Sequence, residues 1–346
     1  MSEFDFFYGS SLLLSIFLMV LLVVLYRKRD RIILKKGYRI LIWNLLLSFF
    51  FLSIIFSVGE TYYRFFVDTT DSFSINKTSQ RWFKRHSKLN SSRNRDNVEY
   101  LNKIALDKKR RITIIGDSFS AGHGIKNVDD RFGNILREMY SDMEVHVYSN
   151  NGASSYSELH NLKKLSKNGY DLDIVLLVYC MNDIDYFVKE TSAIYDRIHA
   201  FNNGLGVLSR NSYFINTLAF RFFALNDPDF MKYSDFVLNG YSGKIWQRQK
   251  EVLIDFKNFV QSKGAHLLVV TFPFLQQSSE KYSFRDVHEQ LNKFWAKEGV
   301  PHLDLLDTYE PHMGSKLTVN KFDAHPNEFA NELAAGAIDR FFRKLN

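Results

Sequence analysis

A serine follows a short apolar run early in the most regular part of this chain. Residues 112–118 read ITIIGDS, and a second glycine-rich stretch, AGHG, follows at residues 121–124. Turn formation alone explains Gly, Asp and Ser at such a place, because turns favour these residues. The alternative is a nucleophilic serine, which needs an imidazole to take its proton and a carboxylate to orient that imidazole. The rest of the chain must then supply both partners.

His325 is the best candidate for that imidazole among the ten histidines. It lies in the segment KFDAHPNEF, in a predicted loop that enters the last helix, and Asp323 stands two residues before it. Pro326 and Asn327 are explained by the start of a helix. Helix-entry chemistry does not explain a carboxylate and an imidazole side by side. We therefore expect Ser118, His325 and Asp323 to meet in the folded chain.

Acyl transfer also needs hydrogen-bond donors for the oxyanion, and two further loops offer them. Gly152 in SNNGASS offers its backbone N–H, and Asn182 in VYCMNDID offers its side-chain amide. Each residue alone is an ordinary loop residue. Both loops follow predicted strands, and ligands of open α/β sheets gather at the carboxyl ends of strands. Four strand-end loops would thus each supply one part of an acyl-transfer site.

Strands and helices alternate from residue 111 to the C-terminus. Apolar runs predict strands at residues 111–116, 144–149, 173–180, 266–273 and 302–307, and helical patterns lie at 131–140, 155–167, 246–264, 284–297 and 327–344. This alternation predicts an α/β fold on a buried, mostly parallel sheet. Residues 184–245 interrupt the pattern with an aromatic-rich insertion. We interpret it either as a helical insertion packed on the sheet or as a cap over a substrate cleft.

The four loops, in this order, resemble the motif blocks of the SGNH hydrolases, also called GDSL esterases. GDSFS at residues 116–120 resembles the first block, Gly152 the second, Asn182-Asp183 the third and DAHPN at residues 323–327 the last. The resemblance covers the chain from residue 111, apart from the insertion. It implies a three-layer, flavodoxin-like fold. Ser118 would be the nucleophile, His325 the base and Asp323 its orienting carboxylate, and the N–H groups of Ser118 and Gly152 with Asn182 would form the oxyanion hole.

The sequence departs from that pattern in several places. Cys180 holds the glycine position of the third block, and one residue, not two, separates Asp323 from His325. Ser120 is a rival nucleophile, but GDSFS is not the G-x-S-x-G motif of another hydrolase class.

Asp117, His123 and Asp183 are further candidates, as residues that contact the substrate. For His123, a structural role is the alternative. Gly122 and Gly124 lack the third glycine of a dinucleotide motif, since Asn127 stands in its place. We expect no metal and no cofactor.

The first sixty residues predict a membrane anchor. Phe6–Tyr26 and Ile40–Val58 contain no charged residue, and about 20 apolar residues span a bilayer. The segment 27–39 between them carries seven Lys/Arg and one Asp, which marks the cytoplasmic side. We therefore predict a two-helix anchor over residues 1–59 in the plasma (inner) membrane, a stalk or linker over 60–110, and an extracytoplasmic, periplasmic catalytic domain over 111–346.

The basic charge of the chain does not indicate nucleic-acid binding. Residues 27–39 contribute +6 and residues 77–111 contribute +9 to a formal net charge of +7, which leaves −8 for the rest. The basic segments flank the predicted anchor, where lipid headgroups are the expected partners. The single cysteine permits no intramolecular disulfide.

These patterns predict a membrane-anchored serine esterase or O-acyltransferase. Its expected substrates are acyl esters, acetyl esters above all, on surface or lipid-linked glycans. By resemblance, a membrane-bound acyltransferase is an expected partner. The alternative is a catalytically silent protein of the same fold that binds glycans or assists envelope assembly, and the Cys180 departure is its main support.

Overall fold

The computed structural model describes residues 5–29, 35–277, 279–313 and 316–345. The chain forms two compact units. The first, called the helical unit, contains the residues up to Thr69 together with Ile75–Arg81 and Ala200–Asn226. The second, called the sheet unit, contains Thr70–Ser74, Trp82–His199 and the residues from Asp227 onward.

Helices and strands follow one another in the predicted order. The strands are β1 (Arg110–Gly116), β2 (Met143–Ser149), β3 (Ile174–Cys180), β4 (His266–Phe272), β5 (His302–Asp304), β6 (Thr318–Asn320) and β7 (Asp323–Pro326). The α-helices are α1 (Phe6–Arg27), α2 (Lys36–Thr61), α3 (Lys77–His86), α4 (Ser118–Ala121), α5 (Phe132–Met139), α6 (Ser155–Lys167), α7 (Lys189–Gly204), α8 (Val207–Asn211), α9 (Tyr213–Asn226), α10 (Tyr233–Gly240), α11 (Gly243–Ser262), α12 (Arg285–Glu298), α13 (Leu306–Tyr309) and α14 (Glu328–Leu345). A π-helical turn, Tyr62–Phe66, extends α2.

The sheet unit is built on five parallel strands in the order β2-β1-β3-β4-β5. Their apolar side chains alternate between the two faces. Ile112, Ile114 and Leu176 belong to one buried cluster, whereas Ile115 and Val175 belong to the other. Helices α5 and α14 cover the first face and α6, α11 and α12 the second. The prediction of a three-layer α/β fold with a mostly parallel sheet is confirmed.

Much of the segment predicted as a stalk or linker belongs to the sheet unit. Residues 70–74 and 82–110 lack a hydrophobic period, yet they contribute buried polar side chains. The Arg95 guanidinium, for example, donates to the carbonyl oxygens of Gly122 and Ile125. The sheet unit therefore begins well before residue 111, and both hydrogen bonds and aromatic contacts, such as the stacked rings of Tyr100 and His146, hold this segment.

The helical unit contains the two apolar helices predicted as membrane spans. Helices α1 and α2, the latter with its π-turn, are long and apolar enough to cross a membrane. Their apolar side chains point outward, as in Leu52 with 61% of its surface exposed, which a core helix of a soluble protein would not show. Of the predicted basic loop 27–39, residues 30–34 lie outside the described residues.

The predicted insertion 184–245 is helical and is divided between the two units. Within this fully described stretch the structure has no strand. Residues 200–226 belong to the helical unit, and the remainder belongs to the sheet unit. The insertion is therefore not one compact cap, because its central helices pack with α2.

We expect Asp96→Asn to destabilise the chain. The Asp96 carboxylate is buried and accepts hydrogen bonds from Arg131 (2.9 Å), Arg137 (2.7 Å) and Tyr100. Removing one partner of a buried ion pair leaves an uncompensated charge and costs about 3–5 kcal/mol. Denaturant titration of the detergent-solubilised chain measures this loss in the free energy of unfolding.

The matched control is Glu289→Gln. Glu289 pairs with Lys293 at 3.4 Å on the solvent-exposed face of α12, where such a pair contributes about 0.3–0.5 kcal/mol. Equal losses in the two variants would contradict the role assigned to Asp96.

Candidate active site

Ser118 begins the short helix α4 directly after β1. The Asp117 side chain caps this helix by accepting a hydrogen bond from the Phe119 N–H (2.9 Å). The chain turns tightly at Gly116, where a Cβ atom would lie 2.4 Å from Ser120 Oγ and 2.9 Å from Val178 Cβ. Only glycine fits there without a shift of its neighbours. The tight packing of Gly116 against Ser120 and Val178 lets the chain turn there, and Ser118 lies at the carboxyl end of the sheet.

Ser118, His325 and Asp323 form a continuous hydrogen-bonded chain. Ser118 Oγ lies 2.7 Å from His325 Nε2, and His325 Nδ1 lies 2.5 Å from Asp323 Oδ1. The carboxylate can only accept, so Nδ1 carries the hydrogen and Nε2 is free to accept the Ser118 proton. This is the arrangement that a serine nucleophile requires. His325 and Asp323 lie on β7, which pairs with β6, rather than in the predicted loop.

Asp323 stays ionised although its side chain is buried. Burial opposes ionisation, but the charge of His325 and hydrogen bonds from His123 and His325 outweigh it and hold the pKa of this carboxyl well below its usual range. Its second oxygen, Oδ2, accepts a hydrogen bond from Thr70 Oγ1 and lies 3.2 Å from His123 Nε2. Asp323 therefore has partners on both oxygens.

His123 contacts the triad through Asp323, and its side chain is 3% exposed. Its Nε2 also lies 3.0 Å from the Asp71 carbonyl oxygen. Since both neighbours are acceptors, Nε2 must carry the hydrogen of a neutral ring. Burial lowers the pKa of His123, and the positive charge of His325 lowers it further. The two imidazoles stack 3.9 Å apart at 11°, so His123 remains neutral beside the ring that gains the proton.

Residues 70–74 deliver Thr70 to this site and are called the strap. The strap lies along the β6–β7 hairpin, where Ser72 N donates to the Phe322 carbonyl oxygen (3.1 Å) and Ala324 N donates to Ser72 Oγ (3.0 Å). Gly124 permits the loop that carries His123 to approach Val319 and Thr70 closely. Its φ is +84°, and a Cβ there would lie 2.4 Å from Val319 and 3.1 Å from Thr70 Oγ1.

The two predicted oxyanion donors follow the neighbouring strands. The turn that contains Gly152 is joined to the turn at Gly116–Ser118, called the nucleophile turn, by a hydrogen bond from Asn150 N to the Gly116 carbonyl oxygen (3.3 Å). Gly152 itself is exposed and has φ +73°. The Asn182 side chain interacts with the Asp117 carboxyl at the end of β3. Its amide offers N–H groups and stays the predicted side-chain donor for an oxyanion.

Direct substrate contact by Asp117, Asp183 or His123 is not what the structure shows. Asp117 and Asp183 are completely buried, and Asp183 accepts a hydrogen bond from Ser155 Oγ (2.8 Å). Such carboxyls support the loops from within. The three residues are therefore corrected from candidate substrate contacts to supporting residues. His123 takes the role behind Asp323 described above.

Two departures from the motif pattern also have structural explanations. Ser120 is completely buried, and its hydroxyl donates to Ser149 Oγ (2.8 Å), so it does not compete with Ser118. Cys180 is buried as well, and its thiol lies 3.2 Å from Asp117 Oδ1. Burial raises the pKa of this thiol well above its usual range. The thiol therefore supports the helix cap and does not act as a nucleophile.

Two groups of side chains have the spacing of metal ligands within the described chain. In the group of His123, Asp323 and His325, the imidazoles and the carboxylate already bond directly to one another. In the group of Asp117, Cys180 and Asp183, burial raises the pKa of all three side chains. That favours the protonated forms, whereas a metal binds the deprotonated ones.

Fold and site now agree with the resemblance noted in the sequence. The parallel sheet has the order β2-β1-β3-β4-β5, and the ends of β1, β2 and β3 carry Ser118, Gly152 and Asn182 in the order of the SGNH motifs. The hairpin before α14 brings His325 onto Ser118. The sheet unit therefore has the three-layer α/β fold, and its site residues stand at the strand ends in the order that the resemblance to SGNH hydrolases implies.

Comparisons with known proteins give matches among solved structures only. No family model matches the chain, and no curated protein matches it. Among solved structures, a lipolytic protein of the G-D-S-L family from Veillonella parvula is 14% identical, with 68% of this chain and 99% of that chain covered at a TM-score of 0.41. An extracellular lipase from Streptomyces rimosus is 12% identical, with coverages of 67% and 99% and a TM-score of 0.44. The esterase EstA from a Pseudoalteromonas species is 15% identical, with coverages of 68% and 98% and a TM-score of 0.40.

The sequence did not indicate the partners of Asp323 Oδ2. Thr70 lies in a segment predicted as a stalk, 253 residues from Asp323 along the chain. No motif or period marks it. The position of His123 between two glycines made it a candidate for substrate contact, but it did not indicate a contact with Asp323.

We expect His123→Ala to slow the reaction of Ser118 with a fluorophosphonate by roughly tenfold to a hundredfold. The substitution removes a hydrogen bond to a charged group, which contributes about 1.5–3 kcal/mol. His123→Gln, which can restore an N–H near the Nε2 position, should recover part of the rate. The measurements are the second-order labelling rate, its pH profile and the melting temperature of each variant.

Thr70→Val is the matched variant on the same oxygen and should slow labelling in the same direction. Because neither side chain faces Ser118, the fraction of the protein that is labelled at saturating probe should stay near the wild-type value. Unchanged labelling in both variants, with intact melting temperatures, would refute the positioning role of these two residues.

Proposed function

We propose that this chain is a membrane-anchored serine esterase or O-acyltransferase that acts on acyl esters, acetyl esters above all, of surface or lipid-linked glycans. The observation that carries the proposal is the 2.7 Å contact between Ser118 Oγ and His325 Nε2, backed by Asp323. Burying an imidazole and an ionised carboxylate beside a serine is unfavourable for stability. Groups perturbed in this way are typical of functional sites.

The chemistry follows from the hydrogen-bond directions in the triad. Ser118 Oγ attacks the ester carbonyl carbon while its proton passes to His325 Nε2, and Asp323 stabilises the resulting imidazolium. The N–H groups of Ser118 and Gly152, with the Asn182 amide, are the donors for the oxyanion. As the tetrahedral intermediate collapses, the bond from the carbonyl carbon to the alkoxide oxygen breaks, this oxygen takes the proton from His325 and leaves as the alcohol, and the acyl group remains on Ser118.

The second half of the reaction decides between the two activities. Water attack on acyl-Ser118 releases the carboxylic acid, with His325 again taking and returning a proton. Attack by a glycan hydroxyl forms a new ester instead. Both routes restore the free serine, and both use the same residues. A membrane-bound acyltransferase that loads the acyl donor fits the transfer route, and the two apolar helices support a location at the membrane.

The silent glycan-binding alternative loses its main support. It depended on Cys180 in place of glycine, but the thiol packs against Asp117 beneath the nucleophile turn. The Ser118–His325 contact is intact beside it. A binding protein would have no need for this contact.

We expect a fluorophosphonate probe to label the detergent-solubilised wild-type chain and not the Ser118→Ala variant. The variant loses the hydroxyl that is bonded to His325, and a triad serine contributes about 10⁶ in rate. Ser120→Ala is the matched control, because this buried hydroxyl two residues away bonds to Ser149, and it should keep the label. A folded wild-type chain that stays unlabelled would favour the binding function.

The same pair of proteins identifies the acyl group and the acceptor. Wild type, but not Ser118→Ala, should release acetate from the envelope glycans of the source organism, or move acetyl groups between glycans. Free acetate indicates the esterase, and acetylated acceptor without free acetate indicates the transferase. Neither product from a labelled enzyme would reject acetyl glycans while leaving the serine chemistry in place.

We expect an alkaline phosphatase reporter fused after residue 346 to be active in a bacterial host. The basic segment between the two spans favours the cytoplasmic side, so the C-terminus should lie outside, where this reporter folds. A fusion after Arg29 should be inactive. The reverse result would overturn the orientation and, with it, the choice of surface glycans as substrates.

A further inference from the structure

Helices α8 and α9 are joined to the end of α2 by a buried carboxylate. Glu60 accepts hydrogen bonds from Ser212 Oγ (2.6 Å) and from the N–H groups of Tyr213 (3.1 Å) and Phe214 (3.0 Å) at the start of α9. Arg64 neutralises Glu60 at 2.7 Å. A negative charge at a helix N-terminus is favourable, and Glu60 is completely buried. The start of α9 is therefore fixed at this level of α2.

The start of α9 lies beside the apolar span itself. The Phe214 ring packs against Phe56 (6.4 Å between ring centroids) and stacks on Tyr63 (5.8 Å). Gly59 provides the room, because a Cβ there would lie 2.8 Å from the Phe214 ring. Phe56 belongs to the charge-free run Ile40–Val58. Helix α9 thus begins at the depth where that run ends.

The outer face of α9 carries an apolar stripe. Leu218, Phe222 and Leu225 follow one another at spacings of four and three residues, which places them on one side of the helix. Phe222 is 72% and Leu225 68% exposed. The opposite side, with Asn216, Thr217 and Phe220, is buried. In a soluble protein, an apolar stripe of this kind would normally face the core.

Other elements of the helical unit also expose apolar side chains. Val207 and Leu208 on α8 are exposed, as are Val58, Tyr62 and Phe66 on the outer part of α2 and its π-turn. The last three residues also line an apolar groove of about 340 Å³ against Leu12 of α1. Exposed apolar side chains are therefore present on α2, α8 and α9 of the same unit.

We propose that α8 and α9 form a second membrane contact, with Leu218, Phe222 and Leu225 inserted at the boundary between lipid headgroups and acyl chains. The occupant of this face is lipid because α9 begins beside Phe56, within the apolar span, and exposes its apolar stripe from there. Helices that lie in the interface bury an apolar side in this way. The inference rests on the proposed membrane anchoring and goes beyond it, since it assigns the centre of the insertion to the bilayer.

Nitroxide labels on the full-length chain in vesicles of phosphatidylcholine and phosphatidylglycerol test this contact. The labelled variants are Phe222→Cys and Leu218→Cys on the stripe, Leu52→Cys on the exposed face of α2 and Glu289→Cys on the exposed face of α12. The wild-type chain is the blank, because its single thiol, Cys180, is completely buried. Collision rates with oxygen report lipid exposure, and those with a water-soluble nickel complex report water exposure.

The expected result is a several-fold higher ratio of oxygen to nickel collisions at residues 218 and 222 than at residue 289, approaching the ratio at residue 52. Water exposure at 218 and 222 with lipid exposure at 52 would overturn the second contact and keep the anchor. Water exposure at residue 52 as well would overturn the anchor itself. Dipolar broadening between labels at 222 would show that a second copy of the chain, not lipid, covers the stripe.

Discussion

The buried carboxylate of Asp323 is the group on which the rest of the site depends. An ionised carboxylate inside a protein is unfavourable unless hydrogen bonds and opposite charge compensate it. Here His325 satisfies one oxygen, and Thr70 and His123 satisfy the other. Three segments far apart in the sequence must therefore be in place before His325 can hold its orientation toward Ser118.

This constraint explains why so much polar structure surrounds a small site. The strap carries Thr70, Arg95 fixes the loop that carries His123, and the β6–β7 hairpin carries Asp323 and His325. Hydrogen bonds between side chains and backbone contribute to the position of each of these parts. Such interactions depend on geometry, so small displacements would weaken the triad before they unfolded the domain.

The sheet supplies the rigid frame for these parts. Its strands are apolar on both faces and pack between two layers of helices, which fixes the carboxyl ends of β1, β2 and β3 at one edge. The close approach at Gly116 then directs the chain into the nucleophile turn. The helical unit has a different organisation, since its apolar surface is largely exposed and its polar contacts gather around Glu60 and Arg64.

Much of this was predictable from the sequence, for a definite reason. Helix α6 was predicted at residues 155–167 and lies there, and each strand of the sheet was found within a few residues. These elements have local signals, because burial imposes a hydrophobic period on each of them. The motif residues were also visible, since Ser118, Asp323 and His325 stand in short segments whose composition is unusual for turns alone.

The extent of the domain and the roles of single polar residues were not predictable in the same way. Residues 70–110 have no hydrophobic period and read as a linker, yet Thr70, Arg95 and Asp96 are buried partners of groups elsewhere in the chain. Asp117 and Asp183 read as substrate contacts but support the loops from inside. Nothing near these residues in the sequence indicates their partners.

The sequence by itself determined the strands of the parallel sheet, their order and the residues able to do acyl-transfer chemistry, because periodicity and motif spacing are properties of neighbouring residues. Only the tertiary structure decided that Thr70 and His123 complete the environment of Asp323, and that the centre of the insertion packs with α2. Those contacts join residues far apart in the chain. Their energies come from burial and geometry that exist only after folding.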